Sequence, residues 1–165
     1  MAALTAGKPA PEFTLPTTGG QAWSLAEARR RGPVVLAFFK ASCPVCQLAF
    51  PYLQRLYEAY PKERMSVVGV SQNPLQETLA FMSDYDVRFP VVLDDTHQFP
   101  VSNAYGLTNV PTVFLIGRDG VIQASSVGWA RREIEDINAG LAQATAVARR
   151  KIFHPGEDVP EFRAG

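Results

Sequence analysis

The sequence is short of the residues that staple a fold or charge a surface. Its 165 residues include only 2 cysteines and 2 histidines. A disulfide-scaffolded domain spreads several cysteines along the chain, which this one does not, and a structural zinc site needs four ligands, whereas His97 and His154 lie far from the cysteines without a second pair. Lys and Arg number 16 and Asp and Glu 16, a formal net charge of zero with no basic block. Nucleic acid and anionic lipid both need a positive field and are excluded as main partners. The longest unbroken apolar run is VVLAFF at 34–39, far short of the ~20 residues that cross a bilayer, so no membrane insertion is expected. The first twenty residues carry neither the basic start nor the apolar stretch of a secretory signal. That leads us to expect a cytoplasmic protein, or a periplasmic one if the sequence is a trimmed piece. No repeat of solenoid length and no low-complexity segment occurs.

What is present is a folded composition, 47% hydrophobic and 10% aromatic. A chain of this length buries roughly 70% of its unfolded surface without staples. We expect a single domain over 1–165, divided into an N-terminal extension (1–32), a core (33–150) and an irregular tail (151–165). Pro9, Pro11, Pro16 and the pair Gly19-Gly20 make the opening residues extended and turn-rich. Ser24 can cap a short helix through Arg30, with Glu27 at the capping-box position. PVVLAFFK reads as a strand buried on both faces. Residues 44–60 read as a helix, with Leu48, Tyr52, Leu56 and Tyr60 recurring every four positions and a kink expected at Pro51. MSVVGVS is the next strand, and LQETLAFMSDY a helix with Pro74 in its first turn. FPVVLDD is a short strand, 97–105 a helical turn, and TVFLIG with VIQASSV a hairpin around Arg118-Asp119-Gly120. Residues 130–148 form a long helix with Ile134, Ile137, Leu141 and Ala144 or Ala148 on one face, and from His154 the chain looks irregular. This order is that of an α/β protein, a mixed central sheet with helices on both faces.

The two cysteines sit three apart, Cys43 and Cys46, in FFKASCPVCQ. A bond between them closes almost no loop, so the pair is chemical before it is structural. Cys43 falls where the buried strand stops, and Pro44 suits the first position of the following helix. Cys43 is then the N-cap, facing free N–H groups and the positive end of the helix dipole. Both favour a thiolate, the nucleophile of thiol–disulfide exchange. Cys46 lies one turn on, deeper in the helix, in reach of a mixed disulfide held at Cys43. The alternative is two structural cysteines that happen to be close. His97 beside Asp94 and Asp95, and His154 beside Pro155, are surface residues.

Together with Val110-Pro111-Thr112 before the strand TVFLIG, the CxxC resembles the thioredoxin-like superfamily, whose members carry a cis-Pro opposite that motif. The segments APEFTLP, FPVVLDD and AYGLTNVPTVFLIGRDG extend the resemblance over nearly the whole chain, to the TlpA/ResA-like redoxins close to the AhpC/TSA group. It implies a thioredoxin fold with an N-terminal extension and an extra helix before the cis-Pro half. It also implies disulfide exchange with Cys43 as nucleophile and Cys46 as resolving thiol, and a cis bond at Pro111. The backbone of Val110 is then offered to an extended substrate segment. Pro44, Val45 and Phe39 complete the expected substrate-contacting set, Phe39 as an apolar wall in place of the Trp that usually precedes the first cysteine, or else as simple core. Partners are protein or small-molecule disulfides and a thiol reductant. No metal or organic cofactor is needed.

Four positions depart from the family. Ser42 replaces that Trp, the dipeptide is Pro-Val, Ala37 stands where many thioredoxins bury an Asp, and Ala49 where ResA-like chains often carry a Glu. Both usual proton acceptors are therefore missing, which leaves water or Lys40. Three rival functions share the fold. A peroxiredoxin-like peroxidase needs Thr or Ser three residues before its cysteine and Pro seven before, where this chain has Lys40 and Leu36. A Cu(I) chaperone suits soft thiolates but needs a later His and a wider cysteine spacing. A non-catalytic interaction module is the third.

Overall fold

A computed structural model describes residues 2–165. Along the chain a hairpin, β1 (Thr14–Pro16) and β2 (Ala22–Ser24), leads into α1 (Leu25–Arg29), β3 (Val34–Phe39), α2 (Pro44–Ala59), β4 (Ser66–Ser71), α3 (Leu75–Asp84) and β5 (Val91–Leu93). It continues through α4 (Pro100–Ala104), β6 (Thr112–Ile116), β7 (Ile122–Val127), β8 (Trp129–Ala130), α5 (Arg131–Thr145) and β9 (Phe162–Arg163). The central sheet has the order β5-β4-β3-β6-β7. Its first three strands run parallel, while β6 pairs antiparallel with both β3 and β7.

β3 lies in the middle and every one of its residues is buried. A strand covered on both faces needs apolar side chains at successive positions, which VVLAFF supplies. Val35, Ala37 and Phe39 face a layer built by α2, α3, α5 and residues 152–159, whereas Val34, Leu36 and Phe38 face α1, α4 and the opening residues. The opening residues also blunt the sheet margins, which would otherwise present unpaired backbone. Thr17 bridges Val92 on one side and Pro9 bridges Val121 on the other.

Local chemistry sets the helix ends. Ser24 Oγ accepts from the Glu27 N–H at 3.2 Å and starts α1. α2 continues through Pro51 as one element. Pro74 stands at the N-cap of α3 rather than inside its first turn. α5 ends at Thr145 because Ala146 turns left-handed (φ 56). Its inward positions beyond Leu141 are Ala142 and Thr145, one and four residues on, whereas the expected Ala144 and Ala148 are exposed, Ala148 because the helix has already ended.

The expected irregular tail at 151–165 carries no regular element but β9, and it is nevertheless packed onto the domain. Ile152, Phe153 and Val159 are buried, and β9 pairs antiparallel with β8. The Trp129 ring lies 5.2 Å from Tyr52 of α2 and 6.0 Å from Phe153, an aromatic cluster that draws the chain back over α2. Arg55, also on α2, donates to the Ile152 carbonyl at 2.8 Å and to both Glu157 oxygens at 2.8 and 2.6 Å. Apolar anchors spaced too widely for a periodicity hide such an element in the sequence. The Pro-Glu-Phe echo at 11–13 and 160–162 places its phenylalanines differently. Phe13 packs against Trp23 and Tyr105, whereas Phe162 is 59% exposed.

Arg55, with the His154 N–H, holds the Glu157 carboxyl down to about 2. A carboxyl depressed in the folded state contributes stability that is complete above its ordinary value of about 4.5 and fades as pH falls toward 2. Glu157→Gln is therefore expected to melt lower than the parent at pH 7, by thermal denaturation followed by circular dichroism. The difference should shrink between pH 4.5 and 2.

Candidate active site

The site forms where β3 ends. Strand pairing carries the chain to Phe39, whose carbonyl accepts the Gln72 N–H at 3.1 Å. The next residues turn sharply, and the Cys43 N–H bonds back to the Lys40 carbonyl at 3.2 Å. Two side chains hold this loop through the Ala41 peptide. Asn73 Oδ1 accepts the Ala41 N–H at 2.7 Å, and Gln47 Nε2 donates to the Ala41 carbonyl at 3.0 Å. Cys43 then caps α2 in extended conformation (φ −85, ψ 113), with Pro44 at the start of the helix.

The two sulfurs sit in opposite environments. Cys43 is half-buried, and its Sγ accepts the Cys46 N–H at 3.1 Å and donates to the Val110 carbonyl at 3.4 Å. Cys46, the third residue of the helix, supplies the amide at this cap. Cys46 is 0% exposed and shares its cluster with Ala37, Ala49, Phe39 and Phe50. Burial pushes the Cys46 thiol up, and its interaction with the Cys43 thiol adds to the shift. The Lys40 backbone and its own backbone pull weakly the other way. With alanine at both 37 and 49, these two positions add only methyl groups to this pocket.

The Val110–Pro111 bond is cis, and it brings the loop before β6 against Cys43. Thr112 Oγ1 donates to the Asn109 carbonyl at 2.8 Å, and the Gly128 N–H donates to the Pro111 carbonyl at 2.8 Å, so both sides of the bond are tied. A cavity of about 270 Å³ opens beside it, lined by Lys40, Gln72, Leu107, Thr108, Asn109 and Val110. A roomier one of about 590 Å³ lies between α5 and residues 149–157, away from both cysteines, and belongs to the packing of that segment.

The expected site residues separate into two groups. Cys43, Cys46, Val110 and Pro111 come together, with Pro44 exposed and Val45 half-buried at the same helix end. Phe39 does not line the surface. It is fully buried, with ring centroids 4.5 Å from Phe50 and 4.8 Å from Phe81, so the expectation of an apolar wall there is corrected. Its odd position in β3 points it into the α2 layer. Lys40 is exposed at the cavity rim, and it is its backbone that approaches the thiols. Sequence reasoning missed Asn73, Gln47 and Asn109. Nothing local marks them, since their amides act across 32, 6 and 56 residues. Among the described residues no three His, Cys, Asp or Glu side chains converge as a metal site. His97 and His154 are both exposed.

With this geometry in view, the relatives are informative. The chain is 32% identical to thiol-disulfide oxidoreductase ResA of Geobacillus thermodenitrificans over 132 residues, 79% of this chain and 74% of that one. A Chlorobium tepidum protein described as a thiol:disulfide interchange protein DsbE superposes with a TM-score of 0.73 at 26% identity, covering 84% of this chain and 99% of that one. The thioredoxin domain of a thiol-disulfide oxidoreductase from Bacteroides vulgatus matches with a TM-score of 0.74 at 22% identity, over 86% of this chain and 98% of that one, which shows a thioredoxin fold. The AhpC/TSA family profile matches residues 6–125. The sheet order, the helix-capping cysteine and these likenesses agree, and the chain belongs to the AhpC/TSA family, among the thioredoxin-like redoxins.

Proposed function

We propose that the chain is a thiol–disulfide oxidoreductase in which Cys43 attacks and Cys46 resolves. One observation carries this reading: the half-exposed Cys43 Sγ takes the Cys46 amide in the first turn of α2 at 3.1 Å, with a second, buried sulfur one turn behind it. The Cys43 thiolate attacks one sulfur of a substrate disulfide. A new S–S bond forms, the substrate bond breaks, and one substrate thiolate leaves and takes a proton. Cys46 then loses its proton and attacks Cys43 Sγ, which releases the second substrate thiol. The substrate gains two electrons and two protons, and the protein is left with a Cys43–Cys46 disulfide. A thiol reductant reverses these steps on the protein.

In this reading the dithiol carries both electrons and no further cofactor takes part. The Val110 backbone edge receives substrate, with Pro111, Pro44 and Val45 around it, and water accepts the Cys46 proton, since the Lys40 side chain is exposed and charged. Protein or small-molecule disulfides are the substrates. No helix is long and apolar enough to cross a membrane. A cytoplasmic setting is part of the proposal and requires a couple poised near the reducing end of the thioredoxin range.

The rival chemistries lack their residues. A peroxidase would draw on the positions three and seven before Cys43. Lys40 there is an exposed cation, and Leu36 is buried in the opposite layer of the sheet. A Cu(I) carrier would need a third donor, and both histidines stand elsewhere on the surface.

Two outcomes test the assignment of roles. Reduced protein treated briefly with iodoacetamide at pH 7.5 should take one adduct, at Cys43, read by peptide mass, because burial keeps Cys46 protonated. An adduct at Cys46 instead would reverse the roles. Cys46→Ser should accumulate a stable mixed disulfide with a disulfide substrate and lose turnover, whereas Cys43→Ser should form no adduct at all. Turnover retained by Cys43→Ser would exclude the mechanism.

A further inference from the structure

Beside the thiols lies a stretch of the protein's own chain that the exchange reaction does not use. Residues 161–165 are all exposed and run past the cis-Pro loop. β9 pairs with β8 through Trp129 with Arg163 and Ala130 with Phe162. Trp129 Nε1 donates to the Pro160 carbonyl at 2.7 Å, and the Arg131 N–H donates to the Glu161 carbonyl at 3.0 Å. Beyond the ladder, Asn109 Nδ2 donates to the Gly165 carbonyl at 3.2 Å. Gly165 lies directly on Val110, since a Cβ there would sit 2.5 Å from the Val110 carbonyl oxygen. That same oxygen accepts the Cys43 thiol at 3.4 Å.

The approach depends on missing side chains. Gly128 (φ 75) lets the segment pass, because a Cβ on it would come 2.6 Å from the Arg163 carbonyl and 2.9 Å from the Gly165 nitrogen. Main-chain bonds, the exposed Asn109 amide on Gly165 and one loose ion pair, Arg131 with Glu161 at 3.7 Å, hold residues 161–165, and Phe162 buries little. The residues before them are fixed differently, with Ile152, Phe153 and Val159 in the core. An exposed two-residue ladder belongs to the low-stability end of a fold, whereas a buried anchor does not. The boundary at Pro160 therefore separates a fixed part from one that can peel away. Peeling leaves free the β8 edge and the Val110 carbonyl, two backbone surfaces in line with Cys43, and these suit an extended polypeptide that adds as a strand.

We propose that residues 161–165 are a displaceable internal strand that sets the substrate class. A polypeptide disulfide reaches Cys43 by replacing this strand along β8 and Val110, whereas a small disulfide reaches Cys43 without displacing it. This rests on the oxidoreductase reading. The closed segment lowers the apparent affinity for polypeptides by the fraction of time it is open.

The test compares single-turnover reduction of two thionitrobenzoate mixed disulfides, one on free cysteine and one on cysteine within an extended ten-residue peptide, by pre-reduced protein. The proteins are the full chain, a variant ending at Pro160, and Gly165→Val, whose side chain cannot lie on Val110. Both variants should reduce the peptide faster by about five- to tenfold, as for a segment open on the order of a tenth of the time, with free cysteine changed by less than about twofold. Equal gains on both substrates would make the segment a mere shield of Cys43, and no gain or a loss on the peptide would make it part of the binding surface; each overturns the proposal. If the shortened chain fails to fold, Gly165→Val decides. A full chain that reduces neither compound overturns the oxidoreductase reading itself, and the strand proposal with it.

Discussion

The architecture depends on a buried strand that has to end in solvent reach. β3 is covered on both faces, so its side chains are committed to two apolar layers and its backbone to β4 and β6. It can deliver a reactive group only at its end, where the chain turns into α2. There the unpaired amides of a helix start lie within reach of solvent. Cys43, half-buried, occupies the cap of that helix. Anchoring by the sheet on one side and by α2 on the other, with Asn73 and Gln47 holding the Ala41 peptide between them, orients the sulfur.

The same burial divides the labour between the cysteines. One helical turn moves Cys46 from solvent into the cluster of Ala37, Ala49 and Phe50, and a thiol in such a place resists ionisation. Its proton must leave during the second half of the exchange, and alanine at 37 and 49 removes the carboxylates that could receive it. The segment 161–165 at the Val110 edge acts on the other half of the reaction, in deciding which disulfides arrive.

How much of this was legible in the sequence follows from the range of each interaction. β3, α2 and the capping cysteine could be read because they rest on neighbours in the chain: a continuous apolar run, a 3.6-residue period, a Pro at the first helical position. The cis bond at Pro111 followed only from resemblance, as VPT alone is an ordinary strand start. Phe39 was ambiguous between wall and core, because sequence does not give the direction of an odd position in a strand buried on both sides; its packing on Phe50 and Phe81 decides for core. The packing of residues 151–165 was hidden because Arg55–Glu157 and the Trp129 cluster join positions about a hundred and about twenty apart, with no period to betray them. Asn109 and Asn73 were invisible for the same reason.

The central claim is that Cys43 and Cys46 form one two-electron couple, and its reduction potential tests this most directly. Equilibrating the protein with glutathione and then thioredoxin buffers, and quantifying the intramolecular disulfide by mass after acid quench, gives that value. With one amide at the Cys43 cap and a protonated Cys46, the account predicts a single two-electron midpoint nearer the reducing value of thioredoxin, about −270 mV, than the oxidising end at about −120 mV. A protein in which no Cys43–Cys46 disulfide forms at any poise contradicts it.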